Sequence, residues 1–267
     1  MHGRSERDFK MPRFFISGHT GPGRVIAITG KDARHITRIL RMGSGDILNV
    51  VDSAGKEYSA KIRTGCIDRV IVDVVAESAD MSREPSVFIT VLQGLPKGDK
   101  MDKVVRRNTE IGVSRFVPVI TERSIPRPAK AGQAKRVERW RRIAEEASKQ
   151  SGRQRVPDVL DVMGFDDAIQ FTVDEKTRAR GEGRECLILF PWELEKSKGV
   201  KDILREGVRF SEVMCFIGPE GGFSHDEAEK AVRHGAEPCS LGPRILRTET
   251  CALVLSSIIL YEAGEMG

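Results

Sequence analysis

Two glycine-rich segments hold residues whose types and spacing suit ligand chemistry. In Phe216-Ile217-Gly218-Pro219-Glu220-Gly221-Gly222-Phe223-Ser224 an apolar run ends, and three glycines and a proline follow within five residues. Glycine tolerates positive φ and lets a ligand approach the backbone. Ser224 followed by Glu227 has the capping-box form, which predicts a helix from Ser224 to about His234. Strand, glycine loop and helix N-terminus together offer backbone N–H donors. The segment lacks the spacing of a dinucleotide-binding GxGxxG and the Lys-Ser/Thr ending of a P-loop. Read locally, a tight connection without a ligand stays open.

The second segment is Ser240-Leu241-Gly242-Pro243-Arg244-Ile245-Leu246-Arg247-Thr248-Glu249-Thr250. A short strand ends at a Gly-Pro turn, and Thr248 is a candidate N-cap for the last helix. Glu249 in the first turn suits the positive helix end. Arg244 and Arg247 beside a loop and a helix start favour an anionic partner over solvated charges. A third stretch, Arg139-Trp140-Arg141-Arg142 to Gln150-Ser151-Gly152-Arg153-Gln154-Arg155, is basic with one aromatic. Trp140 lies at helical spacing and reads as core, while Gln150 and Arg153 read as loop residues free to bind. In the fourth, His35 to Gly43, Arg38 and Arg41 are three apart and share a predicted helix face, which suits a phosphate grip. His35 reads as packed or capping.

The elements that must position these residues fall into two blocks. A length of 267 residues predicts about two domains at roughly 150 residues each. With 39% hydrophobic and 31% charged residues, disordered and collagen-like classes are excluded. No run of about 18 apolar residues exists, and the polar N-terminus has no apolar core of a secretory signal, so a soluble, intracellular protein is expected. Forty-four Lys+Arg against 39 Asp+Glu leave +5, a weak pointer to nucleic acid. Five scattered cysteines without a CxxC pair signal neither zinc nor disulfides.

Residues 1–10 are patternless and are set aside as an extension or tag. From Arg13 to about Val75 short strands prevail: Val25–Ile28, Asp46–Val51, Lys56–Arg63 with Tyr58, Ala60 and Ile62 on one face, and Arg69–Val75. One helix, roughly Lys31 to Arg41, interrupts them. This pattern predicts a small barrel over residues 11–78. Residues 77–85 read as a linker. Beyond it, strands at Val87–Leu92, Phe116–Ile120, Cys186–Phe190 and Val213–Ile217 alternate with helices at Lys100–Ile111, Lys135–Lys149 and Thr248–Ala263. That alternation predicts an α/β domain over residues 84–267 with a mostly parallel sheet.

Four of these segments, in this order, resemble the RsmE family of small-subunit ribosomal RNA methyltransferases in the SPOUT superfamily: H..RILRMG.GD, RW...EAS.Q..R, GPEGGFS and LGPRILRTET. The resemblance extends over essentially the whole chain from Met11. It implies an N-terminal PUA-like β-barrel that helps to bind RNA and a C-terminal SPOUT α/β domain with a deep trefoil knot. It also implies S-adenosyl-L-methionine as cofactor, no metal, a homodimer through the knot region, the small ribosomal subunit as partner and a cytoplasmic location. Three loops are assigned to the cofactor: Phe190, Pro191 and Trp192; Ile217, Gly218 and Gly221; and Leu241, Gly242, Arg244, Ile245 and Leu246, with Thr250 and Ala252 just beyond. Cys251 departs from the small or hydroxyl residue expected there. Arg13, Arg38, Arg41, Gln150 and Arg153 are assigned to RNA.

The implied reaction is methylation of N3 of one uridine in 16S rRNA. The base must be exposed and its N3 proton lost, with charge spreading to O2 and O4. Arg247 is the candidate stabiliser of that charge, and Glu249, directly or through water, the candidate proton acceptor. A different knotted RNA methyltransferase, acting on ribose 2′-O or on tRNA, and a non-catalytic RNA-binding assembly factor are the alternatives.

Overall fold

In the computed structural model the chain is described over residues 11–78, 83–125, 129–206 and 210–266. Residues 1–10, and residues 79–82 within the expected linker, lie outside the described residues. The chain divides into one compact unit that ends at Arg83 and another that begins at Glu84.

The first unit contains β1 (Arg13–Phe15), β2 (Val25–Thr29), α1 (Gly30–Arg34), β3 (Ile47–Val51), β4 (Glu57–Cys66) and β5 (Arg69–Glu77). Its sheet runs β1-β3-β4-β5-β2, with β1 parallel to β3 and the other pairs antiparallel. Alternation sends Tyr58, Ala60 and Ile62 of β4, and Val70, Val72 and Val74 of β5, to one buried face with Phe14, Leu48 and Val50. Register shifts at Ser59/Ala60 and Ile62/Thr64 bend β4 and curl the sheet around that face.

Helix α1 passes directly into a π-helical turn over His35–Ile39. The predicted helix to Arg41 therefore ends early. Arg41 instead takes φ +54°, in the left-handed region. Arg38 and Arg41 are both exposed, but they do not share a helical face. His35 packs edge-on against Phe14, at 6.1 Å between centroids. Arg13, assigned to RNA, lies instead in the interior. It is only 8% exposed, and its Nε and Nη2 donate to the Glu57 carboxylate at 2.7–3.0 Å. Burying both charges together avoids stranding either, so the guanidinium is committed to the interior.

The second unit comprises β6 (Phe88–Gly94), α2 (Lys100–Ile111), β7 (Arg115–Ile120), α3 (Lys130–Ser151), β8 (Asp158–Val159), β9 (Met163–Gly164), α4 (Phe165–Gly181), β10 (Cys186–Pro191), α5 (Val200–Arg205), β11 (Glu212–Ile217), α6 (His225–Arg233), β12 (Glu237–Cys239) and α7 (Thr248–Glu262). Its strands form one parallel sheet in the order β12-β10-β11-β6-β7-β8, with β9 also on β7. The apolar runs of β6 and β11 are continuous because helices cover both faces. Ile89, Val91, Val213, Cys215 and Ile217 point to the layer of Trp140, Leu255 and Ile259. Leu92, Met214 and Phe216 point to Phe165, Ile169, Ala228 and Ala231. Helix α4 was not expected: a Gly164 N-cap and β-branched Thr172, Val173 and Thr177 weaken its local signal, and packing of Phe165, Ala168 and Ile169 supplies the rest.

The basic stretch is mostly paired within the fold. Trp140 is buried and donates from Nε1 to Asp102 at 3.1 Å. Gln150 is exposed but belongs to the last turn of α3, and Gly152 ends that helix in the left-handed conformation at φ +81°. The chain then turns Arg153 inward. It is 4% exposed, donating to Val113 O at 2.5 Å and Thr109 O at 3.2 Å and ion-pairing with Glu84 at 2.6 Å. Arg153, expected to be free to bind RNA, is thus engaged within the fold. Arg153→Ala removes the ion-pair partner of Glu84, which keeps the Gln154 and Arg155 N–H groups, and a donor to two carbonyls; it should lower unfolding free energy by about 1–3 kcal/mol in chemical denaturation. A direct RNA role instead predicts weaker RNA binding at unchanged stability.

Candidate functional site

A cavity of about 1000 Å³ opens beyond the C-terminal ends of β10, β11 and β12. Ends of parallel strands are where open α/β sheets bind ligands, because the loops there converge. Pro191 ends β10 and Trp192 follows it, Ile217, Gly218 and Gly221 end or follow β11, and Leu241, Gly242, Arg244, Ile245 and Leu246 follow β12. All ten line the cavity, and so does Arg247.

Four assigned residues do not line it. Phe190 is fully buried in β10, 4.5 Å from Phe223 between ring centroids, and supports that wall residue from behind. Ala252 is fully buried against the sheet because its side of α7 faces the core. Thr250 and Glu249 stand in the first turn of α7 and are partly exposed outside the wall. Glu249 Oε2 is itself buried and accepts no hydrogen bond from the described residues.

The glycine loop is held from several sides. Ser224 Oγ accepts from Glu227 N–H at 3.3 Å, and Glu227 Oε2 accepts from Ser224 N–H at 3.0 Å, completing the capping box. The other Glu227 oxygen accepts from Glu122 N–H at 2.8 Å, so the turn after β7 is tied to the same helix start. From that turn Arg123 donates to Gly221 O at 2.9 Å. Gly222 has φ +67°, a left-handed backbone that glycine takes without strain, whereas an added Cβ would first meet the movable carboxylate of Glu193.

The wall also includes residues that local patterns did not mark. Lys100, at the start of α2, ion-pairs with Glu220 at 2.7 Å, and Lys97 N–H donates to the same carboxylate at 3.1 Å. Burial acts to raise the Glu220 pKa, yet the hydrogen bonds from Lys100 and from backbone N–H groups prevail and hold it below its ordinary value. Lysines 97 and 100 in Pro-Lys-Gly-Asp-Lys, just after an apolar strand, were the available signal. Because the folded pKa lies below the unfolded one, this pair stabilises the protein above the ordinary carboxylate pKa. Its contribution disappears as pH falls through the folded value. The melting-temperature gap between wild type and Glu220→Gln should therefore be widest near neutrality and close in acid.

Thr248 is not the N-cap. Arg247 takes that place in extended conformation, which frees the Thr248 hydroxyl to donate to Gly218 O at 2.6 Å. Cys251 also lines the cavity. Burial pushes its thiol up to about 12, so it acts as an inert wall atom and not as a nucleophile. Glu195, another wall residue, is held low by hydrogen bonds from the Ser197 hydroxyl and from the Ser197 and Lys198 N–H groups. Trp192 meets His225 edge-on at 5.2 Å. Among the wall cations, Arg244 and Arg247 are exposed and make no ion pair with the described residues.

Residues 83–260 match the RNA methyltransferase domain family, and residues 28–64 match the RNA methyltransferase PUA domain. The chain belongs to the RNA methyltransferase family. Within it, ribosomal RNA small subunit methyltransferase E of Bacillus subtilis is 32% identical over 94% of this chain and 97% of its own. The Aquifex aeolicus protein of the same description is 31% identical over 89% of this chain and 95% of its own. Among solved structures, ribosomal RNA small subunit methyltransferase E from Neisseria gonorrhoeae, bound to S-adenosyl methionine, superposes with a TM-score of 0.80. It shares 28% identity over 94% of this chain and 97% of that one. For this family member the mixed first unit and the parallel second unit accord with those two matched domains. Among its described residues no helix is long and apolar enough to cross a membrane.

Proposed function

We propose that this family member transfers a methyl group from S-adenosyl-L-methionine to N3 of one uridine in 16S rRNA of the small ribosomal subunit. The observation that carries this is the meeting of three loops around one cavity with two arginines that make no ion pair with the described residues, in a chain matched along nearly its whole length by small-subunit rRNA methyltransferases. The residues present fit the cofactor. The cavity has the size of a small-molecule site, typically about 300–1,000 Å³. Ile217, Phe223 and Leu241 give it apolar wall, and the glycine loops bring backbone groups to its edge. When bound, the cofactor supplies an activated methyl on a sulfonium. Pro191, Trp192 and the third loop hold and orient it.

The chain's own residues then favour the uridine anion. Arg247 supplies positive charge to O2 or O4 as N3 loses its proton, in a site where preorganised charge is effective. Glu249, whose Oε2 has no partner among the described residues, takes the proton through a water because it stands outside the wall. Arg38, Arg41 and Gln150, all exposed, bind the RNA backbone. The proposal includes a cytoplasmic homodimer that pairs through a knotted region.

Mass-spectrometric mapping of 16S rRNA from cells with and without the protein tests the function. The expected result is one 3-methyluridine that disappears with the gene. A lost mark on a ribose 2′-oxygen or on tRNA overturns it.

A further inference from the structure

Gln93, next to the end of β6, is fully buried and is not part of the cavity wall. Its Nε2 donates to Thr248 Oγ1 at 2.8 Å and to Gly94 O at 2.9 Å, with Ile217 O and Gly218 O at 3.5 Å. Gly218 O can only accept, so Thr248 gives its single hydroxyl hydrogen there and must accept from Gln93. The amide orientation follows: the flipped form would set Oε1 against three carbonyls. In the orientation that results, Oε1 is buried with no partner among the described residues. An apolar side chain of similar shape would avoid that unpaired acceptor, so packing alone gives no reason for an amide here.

The bonds reach across the fold. Gln93 and Thr248 are 155 residues apart, and Thr248 and Gly218 are 30 apart. Gly218 lies in the second loop and Thr248 opens α7 directly after the third, and both line the cavity. Beside Gln93, a Cβ on Gly94 would lie 2.6 Å from Pro219 Cδ, so β6 backs directly onto the glycine loop.

We infer that Gln93 is a positioning residue for cofactor binding: its carboxamide polarises and orients the Thr248 hydroxyl, which clasps the second loop to the third at the spacing the cofactor needs. This rests on the cavity being the S-adenosylmethionine site proposed above.

Calorimetric titration of the full-length protein with S-adenosylmethionine tests it, using Gln93→Met, Thr248→Val and the double variant. Each single change should weaken binding about tenfold or more, and the double variant should be no worse than about twofold beyond the weaker single, since either change breaks one chain. In steady state, KM for the cofactor should rise about tenfold while kcat at saturation stays within about threefold. Gln93→Asn, which shortens the reach without adding bulk, serves as a second variant and should show the same rise. Wild-type affinity in Gln93→Met, penalties that multiply fully in the double variant, or a lowered melting temperature with unchanged affinity in Gln93→Asn would each overturn the role. A wild-type protein that binds no cofactor would overturn the cavity assignment itself, whereas wild-type binding with unaltered variants removes only the clasp.

Discussion

Arg247→Ala should slow methyl transfer about 100- to 1000-fold while changing S-adenosylmethionine affinity by no more than about fivefold. Arg247 is the N-cap of α7 and lines the cavity. It is exposed and makes no ion pair with the described residues, so its charge is available to a substrate. A neutral uracil ring gains little from it in the ground state. The N3 anion gains much more, and an interaction made mainly in the transition state appears in kcat. Lys100, another cation at this wall, is engaged by Glu220 and does not replace it. Single-turnover methylation of 16S rRNA fragments or small subunits, beside calorimetry of the cofactor, separates the two quantities. Equal losses in affinity and rate would make Arg247 a cofactor ligand; an unchanged rate would remove it from the chemistry.

Gly94→Ala should be the most damaging single-methyl substitution near the site. Its added Cβ would lie 2.6 Å from Pro219 Cδ and 2.8 Å from Pro219 N. A flexible side chain cannot relieve this, because the neighbour is a proline ring and backbone on the glycine loop. Overpacking of this kind costs about 1–3 kcal/mol. At roughly 2–4 °C per kcal/mol, melting should fall by about 2–12 °C. Displacement of Pro219 also moves Gly218 and Gly221, so cofactor affinity should drop about tenfold or more. Gly21→Ala is the control: a Cβ there has no neighbour within 4 Å, and melting should stay within about 2 °C. Scanning calorimetry of the two variants checks both, and an unshifted Gly94→Ala would mean that the loop yields freely.

Much of this architecture was legible as local pattern. Helix α2 occupies Lys100–Ile111 as its spacing predicts, and Ser224 caps α6 through the anticipated box with Glu227. Such features depend on neighbours within four residues, where periodicity and capping chemistry operate. Glycines near strand ends marked the cavity loops for the same reason: backbone freedom is a property of the residue itself. Local pattern failed where long-range pairing decided the outcome. Arg13 and Arg153 resemble surface cations in sequence, yet carboxylates 44 and 69 residues away draw them into the interior. Thr248 looks like a cap, but Gly218 O and the Gln93 amide give its hydroxyl better partners than the helix end does. Lys100 and Glu220 meet across 120 residues.

The sequence by itself determined most of the element types, the glycine loops, the arginines beside them and the family resemblance. Only the tertiary structure decided which of those arginines keep a free charge and which polar side chains clasp the loops. A hydrogen bond or ion pair forms between whatever groups the fold brings within about 3 Å, and that proximity is a property of the packed chain and not of any short stretch of it.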